Sequence, residues 1–478
     1  MSGDVATAET AFRVADRLRK TEGPWEVFAE RSRRYEVHLN GLSIELVRGP
    51  ILLEGYGIRL LRPRGDRLGI GFQASTDLSD EGVRRVVADA ELISKYSDFP
   101  APKAELPGAS GAGPSVEVLD PVLWRDAPGA LDAYFATLRQ AFESASDAVP
   151  TFGSVKVTLT ETTLENSAGL STRYAHSFVE EEIAVKSFGG PEGRPPGEYW
   201  YSSMERRLAT ETLTERVQEW IRYARDARRA SPPPSGDRKV ILPPEVLDGI
   251  LPPVVGFKFT GAAALRHLAP EAGTTTGPVS LSLADDGTVP WGTGSSPIDD
   301  EGTRQGIRPL VAEGKAVGIL YDALHASALG AVSTGSACRS GRAGRGAWRR
   351  FTSRPGPSSS TIVIPGGTGG SDAELIEAAG DGIWVQQLGW ASPEALTTAF
   401  GGEIRLGYRI RGGKLAEPVR GGTIGGLLIA PEGKPSLFND LENQGSRPVL
   451  CGGIRTPSLL VRSMTVSGAD AAAASGGP

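Results

Sequence analysis

The chain has 478 residues, enough for about two to four domains at roughly 100–200 residues each. Its net charge of −6 argues against a general nucleic-acid binder, which needs a basic face to neutralise phosphates. Two cysteines, Cys338 and Cys451, exclude a disulfide framework, and no run of about 18 apolar residues exists to cross a membrane. A hydrophobic content of 39% allows a sizeable core, while 62 glycines and 35 prolines predict many turns and short strands. Residues 1–20 carry neither an apolar stretch nor a cleavage signal, so a cytoplasmic protein without membrane contact is expected.

Val5, Ala8, Phe12, Ala15 and Leu18 have helical spacing and predict a helix over 5–20. Extended runs follow over 27–40, 43–47, 51–61 and 68–74, with turns at Asn40-Gly41 and Arg64-Gly65-Asp66. A helix over 81–96, capped by Asp77 or Ser79, ends this group. A Pro/Gly/Ala-rich connection covers 100–114. The pattern then returns as a helix near 130–144 and strands over 154–165, 170–186 and 199–204. An Asn166-Ser167-Ala168-Gly169 turn separates the first two of these strands. A helix over 211–228 closes the unit, with Thr212 and Glu215 at capping-box spacing. The two helix–strands–helix units, 10–97 and 127–228, predict an internally duplicated N-terminal domain over 1–230.

Three consecutive prolines, Pro232 to Pro234, mark a linker over 231–238, because they fit neither a helix nor a central strand. A second, strand-rich domain is expected over 239–468. Its strands are expected at 279–283, 308–320, 360–365, 383–388, 403–410 and 458–466. Its helices are expected after Gly366–Gly370, where Ser371 and Glu374 can form a capping box, and at Ser392-Pro393-Glu394. Residues 469–478 read as a frayed tail. The fold class is α+β in two domains.

The most informative stretch is Ser295-Ser296-Pro297-Ile298-Asp299-Asp300-Glu301-Gly302-Thr303-Arg304. It is followed by a hairpin around Glu313-Gly314-Lys315 and then by Gly318-Ile319-Leu320-Tyr321-Asp322. Three carboxylates beside a glycine suggest a metal or acid/base site. The plainer and favoured reading is a solvated turn capped by Asp side chains. The wording of the stretch resembles the TldD/PmbA family of metallopeptidases and their partner subunits, with its Ser-x-x-x-Asp-Asp-Glu-Gly and Gly-x-Leu-Tyr-Asp blocks. Gly55-Tyr56-Gly57-Ile58-Arg59, the Asn166–Gly169 turn, Thr361–Gly366, Gly382–Val385, Glu417-Pro418-Val419, Pro457–Val461 and Thr465–Gly468 agree in order and spacing. Ser333–Ala337 resembles a family loop too, but with Ser336 where Asn is usual.

The resemblance also shows a difference. The metal-bearing subunits of that family carry His-Glu-x-x-x-His on a helix and a distant C-terminal cysteine, a set that holds zinc and a proton-relaying Glu. Here Pro252-Pro253-Val254-Val255-Gly256-Phe257 follows the similar lead-in Leu242–Leu247, and none of these side chains ligates a metal. His38, His176, His267 and His325 are dispersed. The chain therefore resembles the TldE/PmbA type, which implies no metal and no catalytic residue of its own. The implied partner is a paralogous zinc subunit in a heterodimer, acting on an unfolded peptide or a small amide. The candidate substrate-binding residues are Asp299, Asp300, Glu301, Arg304, Glu417 and Cys451.

Rival readings are a zinc-independent enzyme using Cys451 or the acidic residues, and a binding module touching nucleic acid through the Arg-rich loop 339–350. Cys451 is more simply a small buried residue, and the loop a solvated, mobile one. Gly69–Ala74 mimics a dinucleotide fingerprint without the helix it needs. An anion at Gly366–Gly370 would compete with Asp372 and Glu374 in the first helical turn.

Overall fold

The computed structural model describes residues 6–109, 113–189, 195–339 and 350–468. The first unit of the N-terminal domain comprises α1 (Ala6–Leu18), β1 (Trp25–Asn40), β2 (Ser43–Arg64), β3 (Arg67–Ser75) and α2 (Asp80–Tyr96). The second comprises α3 (Pro121–Glu143), β4 (Ala148–Asn166), β5 (Ser171–Ser187), β6 (Gly197–Glu205) and α4 (Leu213–Arg229). Their strands form one antiparallel sheet in the order β3-β2-β1-β4-β5-β6. Two meanders thus meet at β1 and β4, as the predicted duplication requires.

Side-chain alternation along a strand places successive residues on opposite faces. Trp25, Val27 and Ala29 of β1 pack with α1 and α2, and Val37 and Leu39 with α3 and α4. Glu26, Phe28 and Glu30 point to the other face. Phe28 there meets Ile298 and Phe351 of the C-terminal domain. The helices therefore cover one side of the sheet, and the second domain covers part of the other.

The C-terminal domain begins with β7 (Gly236–Leu242), α5 (Pro244–Asp248), α6 (Leu251–Lys258), α7 (Gly261–Ala264), β8 (Leu283–Asp286), β9 (Ile307–Ala312) and β10 (Lys315–Ala316). It continues with α8 (Ala323–Ala328), β11 (Ala337–Cys338), β12 (Gly356–Pro357), β13 (Ile362–Val363), α9 (Asp372–Ala379), β14 (Gly382–Gly389) and β15 (Ala399–Arg411). It ends with β16 (Lys414–Val419), β17 (Thr423–Leu427), β18 (Leu441–Gln444), β19 (Val449–Cys451), β20 (Ile454–Thr456) and β21 (Leu459–Ser467). Strands β14-β7-β21-β17-β15 close into a barrel, because β15 pairs back onto β14; β16 and β18 attach outside. A second sheet runs β10-β9-β8-β13-β20-β19.

Several local expectations change: the strand expected over 279–283 begins only at Leu283, as β8. Strand β7 starts at Gly236, inside the stretch read as a linker: once past the prolines the chain has N–H groups again and pairs with β21. No helix forms at Ser392-Pro393-Glu394. The Glu394 carboxylate instead accepts from Leu396 N–H and Thr397 N–H, which folds the chain into a turn before β15. Thr212 precedes α4 but has helical backbone angles and makes no capping bond, whereas the Ser371/Glu374 capping box forms in full. The predicted tail 469–478 lies outside the described residues. Among those described, no helix is long and apolar enough to cross a membrane.

Candidate functional site

The acidic turn docks the two domains. Arg59 of β2 reaches Glu26 at 2.6 Å and Glu301 at 2.7 Å, and all three side chains are buried. The contact to Glu301 is a charge pair more than a directed hydrogen bond, since neither facing atom meets hydrogen-bond geometry. The second Glu301 oxygen accepts from Ala323 N–H at 2.8 Å, at the start of α8, where Asp322 is the cap. Asp299 accepts from the N–H groups of Glu301, Thr303 and Ala337 at 3.0, 2.8 and 3.0 Å. Asp300 accepts from Arg339 N–H at 2.6 Å and from the Arg350 guanidinium at 3.0 Å.

Arg350 also pairs with Glu30 at 2.9 Å, and Arg339 with Glu26. Burial and neighbouring Glu301 push the Asp299 carboxyl well above its ordinary range, against three N–H groups that favour its charge. Burial raises Glu301 as well, opposed by Arg59.

The Asp-capped turn forms as the sequence suggests, but it is buried rather than solvated. Its oxygens are consumed by main-chain N–H groups and by arginines, which is the condition for keeping charge in an interior. The basic loop expected to be solvated is tied at both ends, since Arg339 is buried, Arg350 is half-buried, and both are ion-paired. Residues 340–349, between them, lie outside the described residues.

The remaining candidates are elsewhere. Arg304 is exposed beyond the turn. Glu417 is on β16 at the barrel's outside, where the Arg411 guanidinium beside it lowers its carboxyl pKa. Cys451 ends β19. The six residues thus do not form one site.

Cys451 instead belongs to an acidic region between the domains. Burial, then Asp248, Glu245 and Glu205, push its thiol well above the ordinary range, so it is the reverse of an activated nucleophile. Glu205 accepts from Gly452 N–H, yet burial and neighbouring Asp248 raise its carboxyl to about 7. Asp248 accepts from Gly453 N–H at 2.9 Å. In front of Asp248 and Glu245 opens a cleft of about 630 Å³, walled by Tyr199 and Trp200 of β6 and by Leu388 and Trp390 at the end of β14. Strand β6 is the last strand of its sheet, paired only with β5 among the described residues.

Glu205 gave no signal in the sequence. Glu245 and Asp248 stood beside the lead-in to the absent histidines, and carboxylates on so short a segment were the only hint.

Residues 235–468 match the family model described as the PmbA/TldA metallopeptidase C-terminal domain. The chain belongs to the TldD/PmbA family. It is 26% identical over 197 residues to a metalloprotease TldD homolog of Haemophilus influenzae, covering 40% of this chain and 39% of that protein. The chain thus spans about two-fifths of the length of the curated relatives it matches. A Thermotoga maritima structure described as a candidate modulator of a DNA gyrase superposes with a TM-score of 0.77 at 16% identity, over 96% of this chain and 99% of that one. TldE of Thermococcus kodakarensis superposes with a TM-score of 0.75 at 19% identity, over 97% and 100%. These two share the fold.

The stretch Pro252–Phe257, where the sequence resemblance implied that metal ligands are missing, lies on α6. Pro252, Val254 and Val255 on it are buried in the core. Among the described residues, no three His, Cys, Asp or Glu side chains gather to hold a metal ion. Zinc takes three or four imidazole, thiolate or carboxylate donors, and α6 carries none of them, so these residues do not fit one.

Proposed function

We propose that this chain is the non-metal subunit of a TldD/TldE-type peptidase, paired with a paralogous zinc subunit that hydrolyses the amide. One observation carries this reading. The stretch that the resemblance sets in place of the family's metal motif is here the apolar α6, and α5 just before it, packed against the β19 strand that Cys451 ends, lines a large aromatic-walled cleft. The cleft keeps the means to hold substrate after losing the means to cut it.

The chemistry of this chain would then be positioning. The outer edge of β6 offers main-chain groups to an extended peptide, and Tyr199, Trp200 and Trp390 offer faces to its side chains. Unfolded peptides, or small amides in a natural-product pathway, are the substrates this arrangement suits. Asp299, Asp300 and Glu301 serve domain docking, which leaves the acidic region at Cys451 as the candidate's substrate-facing part.

Co-expression with a family member carrying His-Glu-x-x-x-His tests the proposal. A stable one-to-one complex should form, contain one zinc per pair, and cleave an unfolded peptide that neither chain cleaves alone. Amide hydrolysis by this chain alone, or a stoichiometric transition metal on it, would overturn the reading.

A further inference from the structure

A second, smaller cavity of about 70 Å³ lies inside the molecule, between β5 and the loops around Ser295 and Ser336. Its border includes Tyr174, His176, Arg206, Ser295, Ser336 and Arg350. It is distinct from the Cys451 cleft, whose walls it does not share.

The charge of Arg206 is unmatched there. The side chain is buried, and its guanidinium donates to the carbonyls of Gly292, Ser177, Thr293 and Ser295 at 3.3, 3.3, 2.6 and 3.0 Å. The ring of Phe178 lies 4.3 Å below it. Carbonyl dipoles solvate a cation but leave its net charge, and among the described residues no carboxylate pairs with it. Two carboxylates, Asp299 and Asp300, do border the cavity, but main-chain N–H groups and Arg350 already hold them.

Two further donors are uncommitted. His176 is buried, and its Nδ1 has no hydrogen-bond partner. The Tyr174 hydroxyl accepts from Arg350 at 3.2 Å, which leaves its own proton to give. Burial and the nearby Arg350 push Arg206 down to about 9, and burial with both arginines lowers His176 well below the usual imidazole range. Burial is the larger cause of both shifts, and the neighbouring positive charges add to it. A buried cation, an orphaned imidazole and a phenol facing one polar void form a site for negative charge.

We propose that the cavity bounded by Arg206, His176 and Tyr174 binds one small oxyanion, a carboxylate or a tetrahedral phosphate or sulfate, seated between the two domains. The void has room for on the order of five water-sized groups, which suits such an ion. The bound charge would neutralise Arg206, accept from His176 and Tyr174, and join β5 and β6 to the Ser295 loop.

The test uses the full chain in a buffer without oxyanions, at ionic strength held constant with potassium chloride. Inorganic phosphate, sulfate and acetate are titrated separately, with thermal unfolding and calorimetry as readouts. One of them should bind at a single site and raise the melting midpoint saturably, by about 3 °C at roughly one hundred times its dissociation constant. Which of the three does so separates tetrahedral from planar anions. Arg206→Gln and His176→Phe should abolish both the binding heat and the rise. If Arg206→Gln does not fold, His176→Phe decides, because it keeps the aromatic contacts of the ring and removes only its nitrogens. No saturable binding by any of the three ions, or binding that survives in His176→Phe, overturns the proposal.

Discussion

Arg59 and Glu301 come from different domains, and their charged atoms meet at 2.7 Å with both side chains fully buried. Removing Arg59 strands the Glu301 carboxylate in an interior that water does not reach, and removing Glu301 leaves Arg59 with Glu26 alone, which Arg339 also claims. Glu301→Gln should therefore cost about 3 kcal/mol of folding stability, and Arg59→Met combined with Glu301→Leu should cost less than the sum of the two single changes. Urea denaturation measures both. A loss below about 1 kcal/mol for Glu301→Gln would mean that the pair behaves like a surface ion pair.

Phe351 packs where two glycines of β2 leave room. A Cβ on Gly57 would stand 2.2 Å from the Phe351 carbonyl oxygen, and one on Gly55 would stand 2.3 Å from its ring. The obstacle at Gly57 is backbone, which cannot swing aside. Gly57→Ala is expected to destabilise the protein by about 2–3 kcal/mol, whereas Gly306→Ala, with open space around it, should stay within about 0.5 kcal/mol. Equal midpoints for the two variants in thermal unfolding would refute the close approach.

Glu205 should make stability depend on pH. Its folded-state carboxyl is raised from an ordinary 4.5 to about 7, by burial first and then by Asp248. As pH rises through that window, the unfolded chain releases a proton that the folded protein retains. Stability therefore falls between those values, by up to about 3 kcal/mol, and the penalty is constant above them. Glu205→Gln should be the more stable protein near pH 8 and should show a flatter profile below it. Parallel profiles for the two proteins would remove Glu205 as the cause.

Local signals were legible where the residues answering each other are close in sequence. Ser371 and Glu374 form their capping box, and Asn166 closes its turn by accepting from Ala168 and Leu170 N–H. Local reasoning failed where a nearby polar group had a second use. Glu394 caps a turn in place of a helix, and Thr212 does not cap at all. The glycines at 55 and 57 were visible as a pattern, but their reason, Phe351, is far along the chain. Arg206 carried no mark, since a single arginine after a strand is ordinary until its surroundings are known.

By itself the sequence determined the duplicated N-terminal unit, the family wording of the acidic turn, and the absence of a His-Glu-x-x-x-His motif. Each is a matter of which residues occur and at what spacing. Tertiary structure alone decided that the acidic turn is buried, that Cys451 is ringed by carboxylates, and that Arg206 faces a void without a counter-charge. Those are facts about dielectric and distance, set when strands remote in sequence close over the same space.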